Sequence, residues 1–297
     1  MARSSPPARS APYAPPRPLE DLHILDVLEL AGSQHKAARA LEIHQTTVCR
    51  SLQLMQQQFR LANAPGSSIY RHGHNPCLHY LRLAYREHRL MAGQLRIGSD
   101  VLHHGLLVAM AGVQAVPPRF RSAEHWVALV QHGLLDGAIL SSFSLARPLP
   151  AGEDPAWEEI TVLPLGSIRL QLVAQAGHKR SVLLPRKGAM PLLHHLVEDH
   201  GYAVEQQPAA CQEPAAWLKR ARARRLAMPV CSELLGQRWL NSNRLELLAE
   251  QPPLSEQLWL LLPERAAGSR AARLCLRRLR LQVTRLKTMQ DRHGIQY

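Results

Sequence analysis

The chain has 297 residues, 46% of them hydrophobic, which is enough apolar material for two domains or one large one. Lys and Arg number 36 against 23 Asp and Glu, and the formal charge of +13 favours a polyanionic partner, either nucleic acid or an acidic membrane surface. The five cysteines, Cys49, Cys77, Cys211, Cys231 and Cys275, are scattered without C-x-x-C spacing, which argues against a disulfide framework or zinc knuckle and fits a reducing cytoplasm.

The opening stretch "MARSSPPARSAPYAPPRP" is rich in Pro, Ser and Arg and has no apolar h-region. Residues 1–18 read as a disordered basic arm. Later apolar runs are interrupted by charge or His well before a membrane span, so no membrane partner is expected.

Periodicity begins at "PLEDLHILDVLELAG". Pro18 suits a helix entry, Glu20 and Asp21 complement the positive end of the dipole, and Leu22, Leu25 and Leu28 share a face before Gly32 stops the run. Ser33 can cap a second helix through Ala37, Ala38 and Leu41, whose small residues permit close helix approach. A third helix is predicted from about Gln45 to Phe59, with Val48, Leu52, Met55 and Phe59 on one buried stripe. Its polar side carries Gln45, Thr46, Thr47 and Arg50 near the N-terminus, where a helix-turn-helix offers side chains to base edges and amides to phosphates. An Arg can bond guanine bidentately, a Gln can do the same to adenine, and a Thr offers thymine a methyl group. Ser33 and Lys36 are candidate backbone contacts. The alternative is a solvated face on an ordinary three-helix bundle.

The stretch around Gly32, Ser33, Ala37, Ala38, Leu41 and "HQTTVCR" resembles the N-terminal motif of LysR-type transcriptional regulators. Gln45, Val48 and Arg50 match that family's pattern, while His44, Thr46, Thr47 and Cys49 stand where it commonly has Ser, Pro, Ala and Ser. "IYRH", after an inserted "ANAPGSS", resembles the family's wing with Arg71 one position out of register. "QLRIGSD" resembles the strand opening its effector domain, and Gly133 and Asp136 in "VALVQHGLLDGAIL" match a Gly-x-x-Asp turn. "WEEITVLPLGSIRLQLVAQAGH" resembles the crossover to a second lobe, and "EQLWLLLPERAAGSRAARLCLRRL" the closing strand and terminal helix.

The resemblance implies an α/β fold class in which an N-terminal all-α winged helix-turn-helix precedes a two-lobed, periplasmic-binding-protein-like α/β effector domain. The implied boundaries are 1–18 for the arm, 19–77 for the DNA-binding domain, 78–94 for a short linker helix and 95–297 for the effector-binding-like domain. It also implies a cytoplasmic, non-enzymatic regulator that binds double-stranded DNA, takes a small-molecule effector and forms a homo-oligomer, a dimer or tetramer. The family's linker helix is long, and the short one here puts the dimer in question.

Pattern alone gives a compatible outline, with strands at "LRIG", "GAIL", "RLQLVA" and "LWLLL" alternating with helices at "EHWVALVQHG" and "PLLHHLVEDHG". In such a sheet a ligand lies near strand ends and helix N-termini, which makes Ser99, Asp100, Ser141 and Ser142 candidate lining residues. Turn and capping roles are their ordinary alternative. By the resemblance to the LysR type, "WLKRARARRLAMPV" stands where that family has a glycine-rich turn, so a degenerate or ligand-independent sensor is a further reading.

"HGHNPCLH" gathers His72, His74, Cys77 and His79, donors that suit zinc or copper, but not at the spacing of a standard finger. His194, His195, Glu198 and His200 in "HHLVEDH" form neither H-E-x-x-H nor H-x-x-E-H. The reading is therefore no metal, no cofactor and no catalytic residue, since Gly-x-Gly-x-x-Gly, P-loop and Gly-x-Ser-x-Gly motifs are also absent from the sequence. The competing function is a ligand- or metal-binding interaction protein whose helix-turn-helix does not bind DNA. A terminal helix from about Ser269 to Met289 is predicted, with Ala272, Leu276, Leu279, Val283 and Leu286 inward. Arg270, Arg273, Arg277, Arg280 and Lys287 lie on its outer side, either as a solvated face or as a second phosphate track.

Overall fold

A computed structural model of the chain describes residues 15–16, 19–64, 69–150, 152–207 and 213–293. Most of the expected N-terminal arm, Pro18 and Cys211 fall outside them.

The head is built from α1 (Glu20–Ala31), α2 (Gln34–Leu41) and α3 (Gln45–Phe59). Gly32 ends α1 at φ 75, a left-handed conformation that costs glycine least. A Cβ there would also strike the Arg119 guanidinium. Ser33 caps α2, its Oγ accepting from Lys36 N–H at 3.3 Å. Val48, Leu52 and Met55 of α3 pack with Leu22, Leu25 and Leu28 of α1 and with Ala37 and Ala38, while Phe59 is half-buried at the rim. After a loop, α4 (Pro76–Met91) starts with Pro76 in its first turn and Asn75 as its cap.

The remaining chain forms an α/β body. In order it contains β1 (Leu95–Gly98), β2 (Val113–Ala115), α5 (Ala123–Gln131), β3 (Gly137–Ser141), β4 (Ile160–Ala174) and β5 (Ser181–Leu184). There follow α6 (Pro191–Asp199), β6 (Ala203–Gln206), α7 (Pro214–Arg224), β7 (Met228–Val230), α8 (Ser232–Leu235) and α9 (Gln237–Ser242). The chain then runs through β8 (Glu246–Leu247), β9 (Leu254–Pro263), α10 (Glu264–Ala267) and α11 (Arg270–His293). The main sheet runs β2-β1-β3-β9-β4-β7, with β8 also on β4, and β5 and β6 make a small parallel sheet. β1 is parallel to β2 and β3, whereas β9 is antiparallel to β3 and β4. The long pair β4 and β9 links the two halves of the body, which share one continuous apolar cluster.

"RLQLVA" is only the end of β4, which the sequence pattern breaks at Pro164 and Gly166. The ladder to β9 shifts register there, and a residue without an N–H and one without a Cβ are accommodated at such an irregularity. α11 packs on β4 through Ala272, Cys275, Leu279, Val283 and Leu286; Cys275 is buried and the expected core residue Leu276 is half-buried. Arg270, Arg273, Arg277, Arg280 and Lys287 are exposed. Among the described residues no helix is long and apolar enough to cross a membrane.

The head is fastened to the body by charges with almost no solvent access. Asp26 of α1 accepts from Arg82 of α4 at 2.7 Å and from Arg96 of β1 at 3.1 Å. Arg96 also donates to His23 Nδ1 at 2.7 Å. Asp136, in the turn before β3, accepts from Arg89 Nε at 2.7 Å and Nη2 at 2.5 Å, and from the Arg96 N–H at 2.7 Å. Burial alone would raise the Asp136 carboxyl, but Arg89 and the Arg96 amide hold it below the usual carboxylate range. Arg86 donates to the carbonyls of Val130 and Leu135, and Arg121 caps the Leu30 carbonyl at 2.8 Å while lying over the Trp126 ring. α1 is consequently buried around most of its circumference, one side against α2 and α3 and the other against α4, β1 and the Arg119–Arg121 segment.

Candidate nucleic-acid interface

The outward face of the head is where the third helix begins. His44 precedes α3 in extended conformation, and Gln45, Thr46, Thr47 and Arg50 are all exposed. They are exposed because the opposite stripe is fixed inward. Val48 is fully buried, and Ser51 Oγ donates to Asp21 Oδ1 at 2.6 Å, setting the rotation of α3 against α1. Gln45 reaches back to Gln34 of α2 at 3.5 Å, so the two helix starts are adjacent. Ser33 is exposed at the start of α2, and Lys36 is half-buried beside a groove lined by Arg39, Val116 and Pro117.

The polar face extends beyond the residues expected from sequence. Thr46, Arg50, Gln53 and Gln57 recur at spacings of four, three and four and are all exposed, forming one outward stripe along α3. Gln53 and Gln57 were not among the residues expected from sequence, although the helical period from Arg50 places them on the same face.

Arg71 is exposed in the loop between α3 and α4. Its position is set by backbone bonds, with the Arg71 and His72 N–H groups donating to the Glu29 carboxylate at 3.0 and 2.8 Å. Burial raises the Glu29 carboxyl above its ordinary value, and these two amides oppose the shift. The Ala64 N–H donates to the Arg71 carbonyl at 3.1 Å, closing the loop on itself. Gly73, at φ 101, lies so close to the returning chain that a Cβ would sit 2.6 Å from the Ala62 carbonyl. No strand occurs among the described residues of this loop.

In the body, Ser99 and Asp100 follow β1 and Ser141 and Ser142 close β3, so all four lie at adjacent strand ends. Their polar atoms have protein partners. Asp100 accepts from the Leu102 and His103 N–H groups and pairs with His103 Nδ1 at 2.9 Å. His103 Nε2 meets Glu256 of β9 at 2.8 Å, and Ser141 Oγ donates to the other Glu256 oxygen. Burial opposes charge on His103, yet Asp100 and Glu256 raise it well above its ordinary value, so it is an imidazolium between two carboxylates. Ser99 Oγ lies 3.3 Å from His104 Nδ1, and Ser142 Oγ accepts from Gln257 N–H at 3.1 Å.

No family model and no curated protein matches the chain. Solved structures with a similar course include ArgP from Mycobacterium tuberculosis, with 17% identity over 89% of this chain and 96% of that one, at a TM-score of 0.48. HinK, a LysR family transcriptional regulator from Pseudomonas aeruginosa, is 17% identical over 89% of this chain and 98% of its own, at 0.44. CbnR, a LysR family transcriptional regulator, is 13% identical over 90% and 98%, at 0.47. The chain resembles LysR-type regulators at low identity.

Proposed function

We propose that the chain is a sequence-specific regulator that places the start of α3 in the major groove of duplex DNA. The observation that carries this reading is the joint exposure of Gln45, Thr46, Thr47 and Arg50 on a helix whose other face is locked into the head. Arg50 and Gln45 read base edges, Thr46 and Thr47 contact the backbone or a thymine methyl, and Ser33 and Lys36 at the start of α2 meet phosphate. Arg71 approaches the flanking backbone from the loop, and Gln53 and Gln57 extend the contact along the groove. The excess of basic residues supplies the sequence-independent attraction.

The body is the regulatory or assembly part of this proposal. An effector lodged at Ser99, Asp100, Ser141 and Ser142 must displace the internal Ser141–Glu256 and Asp100–His103 bonds, so its polar groups have to replace both. Homo-oligomerisation is proposed through α4, where Cys77, Tyr80, Ala84, Glu87 and Met91 are exposed at alternating spacings of three and four.

The test is binding of the full chain to duplexes selected from a genomic or random pool, followed by anisotropy titration at several salt concentrations. Arg50→Ala is expected to weaken the selected duplex by about 1–3 kcal/mol and to relax preference at one base pair. Failure to select any sequence, or equal affinity of the variant at all salt concentrations, refutes the reading.

A further inference from the structure

The sequence cluster "HGHNPCLH" is divided by the fold. His74, in the loop before α4, and His79, in the first turns of α4, converge with His132 at the end of α5. The three ring centroids stand 6.1 to 6.2 Å apart, each pair close to perpendicular, and one nitrogen from each ring lies within 4.8 Å of the others. His72 and Cys77 do not join this group. His132 lies 53 positions beyond His79, which is why linear spacing gave no metal pattern.

We propose that His74, His79 and His132 form a three-imidazole site for a borderline divalent transition metal, with Zn2+ as the reference ion. The donors are all nitrogen, which suits Zn2+ and its neighbours and excludes a Ca2+ or Mg2+ site. His79 Nδ1 is buried and has no hydrogen-bond partner, an orphan that a metal bound at that nitrogen would satisfy. Burial, and after it the neighbouring cation Arg82 and the other rings, lowers His74 to about 4, so its ring is neutral near pH 7 and retains a lone pair. His132 is lowered in the same way, by burial and then by His79 and Arg82.

The support around the site is firm. Asn75, between His74 and the helix, accepts from Leu78 N–H at 2.9 Å and donates to the Phe59 carbonyl at 2.7 Å, fixing the start of α4. Tyr70 stacks flat on His74 with centroids 4.1 Å apart. Arg82 lies 3.4 Å from His74 Nδ1, a long contact that is released on metal binding while Arg82 keeps its 2.7 Å bond to Asp26. Tetrahedral ligation brings nitrogens to about 3.3 Å from one another, and the exposed His74 ring has room to make that adjustment. Three protein ligands leave a fourth position that water would complete. Because His74 belongs to the loop carrying Arg71 and His132 belongs to the body, the ion would fasten that loop to α5.

The test uses the metal-stripped full chain titrated with Zn2+ by calorimetry, with Co2+ as a spectroscopic probe. One equivalent is expected to bind in the micromolar range or tighter, to give the visible absorption of four-coordinate Co2+, and to raise the melting temperature. His132→Gln and His79→Ala are each expected to lower affinity at least ~10-fold, whereas His72→Ala and Cys77→Ala leave it unchanged. His132→Gln, at a helix end, keeps the test open should His79→Ala not fold. Absence of stoichiometric binding, binding that survives His132→Gln, or loss of binding in Cys77→Ala overturns the proposal.

Discussion

Asp26 and Arg82 meet at 2.7 Å with both side chains fully buried, and this contact joins the first helix of the head to the helix that leads into the body. Arg96 shares the same carboxylate at 3.1 Å, so a single acid neutralises cations from two further elements. Charges so far from water are tolerated only when paired and hydrogen-bonded. The head therefore cannot swing away from the body without exposing or orphaning them.

Asp26→Asn removes the anion and leaves Arg82 and Arg96 buried without it. Breaking a buried pair in this way is expected to cost about 3–5 kcal/mol. Urea unfolding followed by intrinsic tryptophan fluorescence and by far-ultraviolet circular dichroism is expected to give coincident transitions in the parent chain. In the variant part of the helical signal should fall at lower urea than the fluorescence, because all five tryptophans lie in the body while the loosened head contributes α1, α2 and α3. Coincident and unshifted transitions in the variant would show that the network does not bind the two parts together.

His23 gives the network a pH signature. Burial first, then Arg96 and Arg89, lowers it from 6.5 to about 3. As pH falls below 6.5 the unfolded chain takes up a proton there that the folded chain refuses until about pH 3. The stability His23 contributes is thus present above pH 6.5 and lost progressively below it. His23→Gln keeps an acceptor for Arg96 but has no proton to bind. Between pH 6.5 and 5, the parent is expected to lose about 1.6 kcal/mol more than the variant in urea midpoints converted to free energy. Parallel pH profiles would mean that the ring is protonated in the fold.

Much of the architecture was legible because it follows period. Val48, Leu52 and Met55 repeat at helical spacing and are buried, and "LRIG", "GAIL" and "LWLLL" are short apolar runs that became β1, β3 and β9. The exposed face of α3 was legible for the same reason, as the complement of that stripe. The junction between head and body was not. Arg82, Arg86 and Arg89 recur at spacings of four and three on one face of α4, a pattern that ordinarily denotes a solvated surface, and only the placement of Asp26 and Asp136 opposite them makes it an interior. The same holds for His103, whose two carboxylate partners are separated from each other by most of the body's sequence. Pairing across long sequence distances leaves no periodic trace.

His103 tests how firmly the strand ends of the body are closed. It is the cation between Asp100 and Glu256, and His103→Leu leaves two carboxyls buried without it. A loss of about 3–5 kcal/mol is expected from the missing partner. His103→Leu combined with Glu256→Gln is expected to recover part of that loss, because the double variant buries one fewer charge, and the non-additivity measured in a double-mutant cycle reports the coupling. Strict additivity of the two substitutions would show that His103 and Glu256 act independently.

The proposed assembly of copies through the outer face of α4 can be tested directly. Tyr80 is 69% exposed and Met91 86%, and both lie on the stripe that begins at Cys77 and repeats through Ala84 and Glu87. Positions at alternating spacings of three and four form the seam by which one helix packs along another, and on this stripe Tyr80 and Met91 are the large apolar members. Two copies of a 16-residue helix make a seam of about 24 Å, which is short and so sensitive to single changes. Tyr80→Glu with Met91→Glu places like charges across that seam twice. Sedimentation velocity is expected to show the parent chain as a dimer or larger species and the double variant shifted toward monomer, with helical content unchanged because both positions face outward. The same variant should bind a single half-site with undiminished affinity and lose tight binding to paired half-sites, since each monomer retains Arg50 but the linked second contact is gone. A parent chain that sediments as a monomer, or a variant whose oligomeric state is unmoved, removes α4 as the assembly surface.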